Sequence, residues 1–197
     1  MNASTDLQID ERAVRRTSSP VMGMVLFVAG EAMFFAAFFA GFFQFRSQAK
    51  VWPPASIGTP EISIPAVLTV ILVTSSIVLQ LGLRAVARGR VATFERLLLL
   101  TILLGICFLA LQAYDYSQLT FGIKGGIYPS LFYVMTGLHM AHVVGGVVLL
   151  SVVGAQTLTG QISQRHHEPV EAAAIYWHFV DIVWLGLFTV YYVAVPR

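Results

Sequence analysis

Long apolar stretches alternate with short polar ones along almost the whole chain. A helix needs about 20 mainly apolar residues to cross a bilayer, and five stretches are long enough. The pattern therefore predicts an all-α bundle of five transmembrane helices, which forms a single membrane domain over residues 21–197. A polar tail, residues 1–20, precedes this domain. The helices are predicted at about 21–45, 64–87, 94–116, 130–156 and 170–195.

The composition supports an integral membrane protein. Hydrophobic residues make up 57% of the 197 positions and charged residues only 11%, whereas soluble domains carry roughly 25% charged residues. The formal net charge is only +2, and no basic stretch is interleaved with aromatic residues, so the sequence does not indicate nucleic-acid binding. The single cysteine, Cys107, excludes an internal disulfide and a cysteine-based metal cluster.

Lysine and arginine in the predicted loops favour one orientation in the membrane. Cytoplasmic loops of membrane proteins carry an excess of these residues. Of the 12 in the chain, most lie in the N-terminal tail and in the second and fourth loops. We therefore expect the N-terminus in the cytoplasm and the C-terminus outside.

Small residues follow one stripe of the first predicted helix. Gly23, Gly30, Ala37 and Gly41 recur at a spacing that places them on the same face. Such stripes allow two helices to approach closely in lipid. We therefore expect this face to form a helix contact.

Glu31 is the most unusual residue of the first helix. It lies roughly ten residues into the apolar stretch, hence about 15 Å deep at 1.5 Å per residue. A carboxyl group in hydrocarbon must be protonated or paired. It could form a structural hydrogen bond between helices, or it could be a proton-handling or lipid-responsive site.

Three histidines lie within the predicted helices. His139 and His142 are three residues apart and therefore share a helix face, while His178 lies in the fifth helix. Histidines so placed could bind a metal with ligands from other helices. His142 and His178 could instead hold a haem between two helices. The alternative is that these imidazoles form hydrogen bonds to facing carboxylates.

The fifth helix carries a polar and aromatic stripe. At 100° per residue, five side chains fall within about 60° of one another. His178 lies next to this stripe. A face this polar is unsuited to lipid, so we expect it to point into a helix bundle. The stripe consists of Trp177, Asp181, Trp184, Phe188 and Tyr191.

Two further clusters lie near the ends of the predicted helices. Tyr114 and Asp115 close the third helix, where tyrosine is typical of the aromatic belt at a membrane surface. Asp115 at a helix C-terminus is unfavourable for the helix dipole, so we expect a partner outside that helix. His166, His167 and Glu171 precede the fifth helix and could form a surface metal site or a solvated loop.

Four stretches, in order along the chain, resemble subunit III of the haem–copper oxidases. The resemblance extends over nearly the whole chain, and the stretch in the fifth helix is its most specific part. The stretches read GEAMFF at 30–35, QAYDY at 112–116, TGLHMAHVVG at 136–145, and EAAAIYWHFVDIVW at 171–184.

The resemblance implies an accessory subunit of a proton-pumping oxidase that reduces O2 to water. Such a subunit has no catalytic centre and binds neither haem nor copper, which its partners hold. It contacts subunit I directly, in a complex with subunit II and in some cases a small subunit IV. It holds structural phospholipids and supports proton uptake and durability during turnover. For this chain it implies a bacterial plasma membrane and cytochrome c as electron donor.

The resemblance also assigns roles to residues. It places Glu31 as the buried carboxyl that faces the lipid cleft and His142 as its partner. The helical rise agrees, since the two positions differ in depth by about 6 Å. The longer members of the family have seven helices, whereas this chain looks like the five-helix bacterial form that lacks the first two. It also has Asp115 where Glu is usual and Leu138 where Phe is common.

Other functions remain open at this point. Quinol oxidases contain the same type of subunit, and an accessory protein of nitric oxide reduction has a similar five-helix plan. The residues alone also allow a membrane cytochrome that uses His142 and His178, or a proton-coupled transporter built around Glu31. The transporter hypothesis lacks the broken helices and inverted repeats typical of that class.

Overall fold

A computed structural model describes residues 19–54, 57 and 61–194 of the protein. Most of the predicted N-terminal tail therefore lies outside the described residues. Within them, all regular structure is helical. The helices are α1 (Ser19–Gln48), α2 (Ser63–Ala87), α3 (Val91–Gln118), α4 (Ile127–Leu158) and α5 (Glu168–Phe188), and α5 continues into a π-helix (Thr189–Val193).

All five α-helices are long and apolar enough to cross a membrane. This confirms the predicted fold class, five membrane-spanning helices and no strands among the described residues. A proline lies in the first turn of α1, α2, α4 and α5, where backbone N–H groups have no partner within the helix. These residues are Pro20, Pro65, Pro129 and Pro169.

Consecutive helices run in opposite directions, so arginines collect at one end of the bundle. We call this the arginine-rich end; it contains the turn between α2 and α3 and the loop between α4 and α5. The α2–α3 turn is short because Gly89 adopts a φ of 75°, a conformation that costs glycine little. The arginines near this turn are Arg84, Arg88, Arg90 and Arg96.

The fifth helix forms the centre of the bundle. Within its apolar span 61% of residues are buried, against 6% in the span of α1. It contacts α1, α2 and α4, and Trp184 packs edge-on against Phe108 of α3. The stripe predicted on α5 therefore points into the bundle, with Trp177, Trp184 and Tyr191 fully or almost fully buried.

Two glycines make room for the largest side chain of α5. A Cβ atom on Gly146 of α4 would lie 2.7 Å from Trp177 Cε3, and one on Gly105 of α3 would lie 2.8 Å from Trp177 Cη2. Both distances are far below van der Waals contact. The Trp177 indole therefore lies in a slot that only glycine leaves open on both sides.

The expected contact along the small-residue stripe of α1 is not formed within the described chain. A Cβ atom on Gly23, Gly30 or Gly41 would meet no atom within 4 Å. Helix α1 instead packs through large aromatic side chains, because Phe35 and Phe42 are its buried residues. The stripe is left on the outer surface of the bundle.

Candidate functional site

One imidazole–carboxylate contact joins α1 to α4. The His142 Nε2 atom lies 3.0 Å from Glu31 Oε2, so the structure contains the pair that the resemblance implied. The side chains are 16% and 24% exposed, respectively. The pair therefore lies at the edge of the bundle, where it is held by two helices and can still meet lipid or another chain.

The hydrogen bonds of His142 determine where its protons lie. Its Nδ1 atom is 2.7 Å from the Leu138 carbonyl oxygen, and because a carbonyl only accepts, Nδ1 must donate. One proton is then shared between Nε2 and Glu31. Either a protonated carboxyl donates to a neutral ring, or an imidazolium donates to a carboxylate. Both forms have no net charge, which lowers the cost of placing the pair at membrane depth.

Aromatic side chains hold this pair in position. The Phe35 ring packs edge-on against His142 with a centroid distance of 5.0 Å. The Tyr176 hydroxyl donates to the His142 carbonyl oxygen at 3.0 Å, which ties α5 to the same turn of α4. The Phe35 ring, together with the hydrogen bonds to Leu138 and Glu31, therefore fixes the orientation of the imidazole.

The two indoles of the α5 stripe bind α2. Trp177 Nε1 donates to Ser75 Oγ at 2.9 Å, and Trp184 Nε1 donates to Thr69 Oγ1 at 3.0 Å. Indole N–H groups need an acceptor when they are buried. These bonds fix the register of α5 against α2 and leave Asp181 between them.

His139 is fully buried and packs as an aromatic ring. It is stacked on Trp184 at a centroid distance of 5.2 Å, and Phe108 packs edge-on against it at 5.8 Å. Neither ring nitrogen has a hydrogen-bond partner in the described part of the chain. His139 therefore takes no part in the Glu31–His142 hydrogen bond, although the two histidines are only three residues apart.

His178 and Asp181 form a second polar group, on the α2 side of α5. His178 Nε2 lies 3.2 Å from Gln80 Oε1, and His178 Nδ1 is within hydrogen-bonding distance of Ser76 Oγ. Asp181, one turn further along, is 6% exposed. Neither of its carboxyl oxygens has a hydrogen-bond partner among the described residues.

The positions of His142 and His178 do not favour a haem between them. An axial ligand needs a free ring nitrogen, and both nitrogens of each ring already meet protein groups. His142 contacts α1 while His178 contacts α2. The membrane-cytochrome hypothesis required these two rings to face a common space.

The cluster at the end of α3 differs from the expectation. Asp115 is buried and accepts a hydrogen bond from Gln112 Nε2 at 3.3 Å, within its own helix, so no partner on another helix is found in the described residues. Tyr114 is 55% exposed, because neighbouring positions of a helix point about 100° apart; it is not a buried polar residue. Tyr116 instead bonds Thr136 of α4 at 2.6 Å.

Only two of the three residues proposed for a surface metal site come together. His167 Nε2 lies 3.3 Å from Glu171 Oε1, one helical turn away. His166 belongs to a tight turn in which its backbone exchanges hydrogen bonds with Ser163, and its side chain is exposed. In the described ranges no three His, Cys, Asp or Glu side chains are grouped as metal ligands.

Almost all of the residues described above lie within a match to one protein family. The sequence profile of "Cytochrome c oxidase subunit III" matches residues 10–195. The chain belongs to the cytochrome c oxidase subunit III family. Members of this family are subunits of an oxidoreductase complex, and the five spans make this member a multi-pass membrane protein.

Curated relatives in the subunit III family are more than one third identical to this chain over the aligned residues. Cytochrome c oxidase subunit 3 of Synechocystis is 39% identical over 87% of this chain and 74% of its own length. The protein of the same name from Triticum aestivum is 39% identical over 86% of this chain and 66% of its own length. The one from Rattus norvegicus is 38% identical, with coverages of 86% and 67%.

Several contacts of this subunit III family member were not foreseen from the sequence. Ser75 and Ser76 resemble ordinary small residues of a membrane helix, yet each contacts a polar group of α5. Gln80 and Thr69 also contact α5, and these contacts were likewise not predicted. A signal was present, since serine, threonine and glutamine in an apolar helix tend to bond across helices.

Proposed function

We propose that this chain is the accessory subunit III of a haem–copper oxidase that reduces O2 to water. The family match over nearly the whole chain carries this proposal. The chain contacts subunit I directly, in a complex with subunit II and, where present, a small subunit IV. The haem and copper belong to those partners. The exposed apolar face of α1, of which little is buried within the chain, supports an assembly with further polypeptides.

The proposal includes an electron donor, a membrane and an orientation. The donor is cytochrome c, since the curated relatives carry that donor in their names; a quinol is the alternative. The membrane is the bacterial plasma membrane. The arginine-rich end faces the cytoplasm, because positive loops are retained on that side.

Purification of the intact complex tests this assignment. An affinity tag on this chain in mild detergent should recover subunits with haem and copper absorption and O2 consumption. Reduced cytochrome c and a quinol, supplied in parallel, identify the donor, and nitric oxide consumption identifies a reductase instead. The same tag on an unrelated multi-pass protein of the same membrane is the control. Recovery of a stable solitary chain would contradict the proposal.

We further propose that a groove between α1 and α5 holds a structural phospholipid. Its volume is about 640 Å³, and its lining includes Ala32, Phe35, Phe39, Phe179 and Gly186. Phe35 lines the groove and also packs against His142, so the groove adjoins the Glu31–His142 pair. An apolar groove of this kind suits an acyl chain, and the partly exposed pair supplies a polar contact at its margin.

Closing the groove tests lipid binding. Gly186→Leu should fill it, because even a Cβ atom at this position would lie 3.0 Å from Phe39 Cζ. We expect fewer tightly bound phospholipids per complex in mass spectrometry of the purified variant. Gly137→Leu in α4 is the matched control, since nothing lies within 4 Å of that position. An unchanged lipid content in Gly186→Leu would refute this part of the proposal.

A further inference from the structure

The outer surface of α2 carries polar side chains where a membrane helix is normally apolar. Ser76, Gln80 and Arg84 recur every four residues and so share one face. With His178 of α5 they line a groove of about 360 Å³. Arg84 lies in the last turn of α2 at the arginine-rich end. A polar groove at membrane depth needs water or a polar partner, and this one leads inward from the arginine-rich end.

The groove leads to a carboxyl group at the centre of the bundle. Asp181 lies 13 residues after the first residue of α5, which corresponds to about 20 Å of helical rise. The Ser76 side chain lies next to its carboxyl group, but no residue of the described chain provides a hydrogen bond of normal geometry. A buried carboxyl without a partner is costly, so its position needs a physical reason.

The hydrogen bonds of His178 define a path along which protons can move. Because the Gln80 carbonyl oxygen accepts, His178 Nε2 carries a proton. In a neutral ring Nδ1 is then unprotonated and accepts from the Ser76 hydroxyl. The Ser76 oxygen keeps free lone pairs with which it can accept a proton from Asp181. Asp181, Ser76 and His178 thus lie in order from the centre of the bundle to the groove, and Ser76 can receive a proton from Asp181 while it donates its own to His178.

We propose that Asp181 exchanges protons with the arginine-rich end of the membrane through Ser76 and His178, with groove water as the final carrier. The Asp181 proton passes to the Ser76 oxygen while the Ser76 proton passes to His178 Nδ1. The imidazolium then releases its Nε2 proton to groove water, which takes the place of the Gln80 oxygen as the acceptor. The products are a carboxylate, an intact serine, a neutral imidazole protonated at Nδ1, and a hydronium ion. Reversal of the same steps protonates Asp181.

Other titratable groups on the surrounding helices are engaged elsewhere or lie apart. Glu31 and His142 bind each other, and His139 is enclosed by Trp184 and Phe108. Asp115 of α3 lies near the opposite end of the bundle. The groups that remain on the path from Asp181 are His178 and Arg84. The proposal does not depend on the redox role of the complex.

A pH jump followed by infrared spectroscopy tests this route on the purified complex. The Asp181 carboxyl band is identified by its loss in Asp181→Asn. We expect Ser76→Ala to slow the response of this band by on the order of a hundredfold, because a positioned proton relay contributes at least that much. His178→Ala should slow it similarly, and added imidazole should restore the rate.

Matched variants separate the relay from general damage. Ser151→Ala removes a hydroxyl that bonds only its own helix, so it should respond at the native rate. A native response in both Ser76→Ala and His178→Ala would overturn the proposal. So would the absence of any pH-dependent band that Asp181→Asn removes, since that would show that Asp181 does not exchange protons.

Discussion

At the scale of single residues, the Glu31–His142 contact combines two features that seldom occur together. It lies in a membrane-spanning part of the chain, and it is only partly shielded by other side chains. The Leu138 carbonyl fixes one ring proton, so the remaining proton can lie on either partner without a change in net charge. The pair can therefore tolerate changes in its surroundings that would be costly for an isolated carboxylate.

We predict that Glu31→Ala shortens the working life of the oxidase without preventing its assembly. Among the described residues, the change leaves His142 Nε2 without its partner and removes the one hydrogen bond between side chains of α1 and α4. Bound lipid beside the pair should then be held less firmly. We expect inactivation during continuous turnover to become several-fold faster, as measured from the decay of O2 consumption, with a near-native initial rate.

Two variants make this result specific. Glu31→Gln keeps the size and a hydrogen bond to His142, so it should inactivate more slowly than Glu31→Ala. Glu61→Ala removes a carboxyl group whose recorded bond is with Ser63, two residues along the chain, and should behave as the native complex. Unchanged inactivation kinetics in Glu31→Ala would show that Glu31 serves packing alone.

We predict that Gly146→Ala destabilises the protein, whereas Gly137→Ala does not. The added methyl group would lie 2.7 Å from the Trp177 ring, and such overpacking costs about 1–3 kcal/mol. Gly137 is in the same helix with nothing within 4 Å, so alanine there should gain up to about 1 kcal/mol of helix propensity. Thermal unfolding of the two variants in detergent measures the difference. Equal midpoints would mean that Trp177 moves freely in its slot.

Some of these residue contacts could be predicted from the sequence, and others could not. The depths of Glu31 and His142 followed from helical rise, and the family resemblance supplied their pairing. The isolation of His139 could not be foreseen, because i, i+3 spacing places it near His142 but does not say that Trp184 fills the space beside it. The roles of Ser76 and Gln80 depend on the rotation of α2, which its apolar pattern leaves open.

At the scale of helices, α5 organises the bundle through its indoles. Trp177 and Trp184 are seven residues apart and bond Ser75 and Thr69 of α2. Hydrogen bonds between helices add a directional contribution to the van der Waals packing that holds helices together in lipid. The two bonds therefore select the register that also places His178 beside the polar face of α2.

We predict that Thr69→Val and Ser75→Ala each weaken the α2–α5 contact by about 1 kcal/mol. Each change leaves an indole N–H without its acceptor. The two sites are about 9 Å apart along α2, so the effects should be additive in the double variant. Unfolding in a graded series of denaturing detergent measures the three differences. Ser151→Ala, whose hydroxyl bonds within α4, is the control, and a double variant no worse than either single one would contradict the prediction.

Helix number and type were predictable, but helix contacts were only partly so. Length and apolar content determine that each stretch spans a membrane, and proline in the first turn marks the starts of four helices. The small-residue stripe of α1 indicated a close contact that the described chain does not make. The pattern could not distinguish a stripe that packs within the chain from one on its surface.

At the scale of the whole molecule, the fold separates charge along the membrane normal. Helix directions bring Arg84, Arg88, Arg90 and Arg96 to one end, while Arg46 and Lys124 lie at the other. The groove below Asp181 opens towards the arginine-rich end. The side of the membrane that this end faces therefore decides which compartment could supply protons to Asp181.

We predict that the arginine-rich end faces the cytoplasm, because Lys and Arg in short loops oppose translocation. Single cysteines at Arg88 and Lys124, each in a Cys107→Ser background, can be labelled with a membrane-impermeant maleimide. Lys124→Cys should react in intact cells, and Arg88→Cys should react only after the membrane is permeabilised. Both variants should label fully in detergent, which controls for buried thiols. The reverse pattern would place the groove on the outer side, and any protons reaching Asp181 would then come from outside the cell.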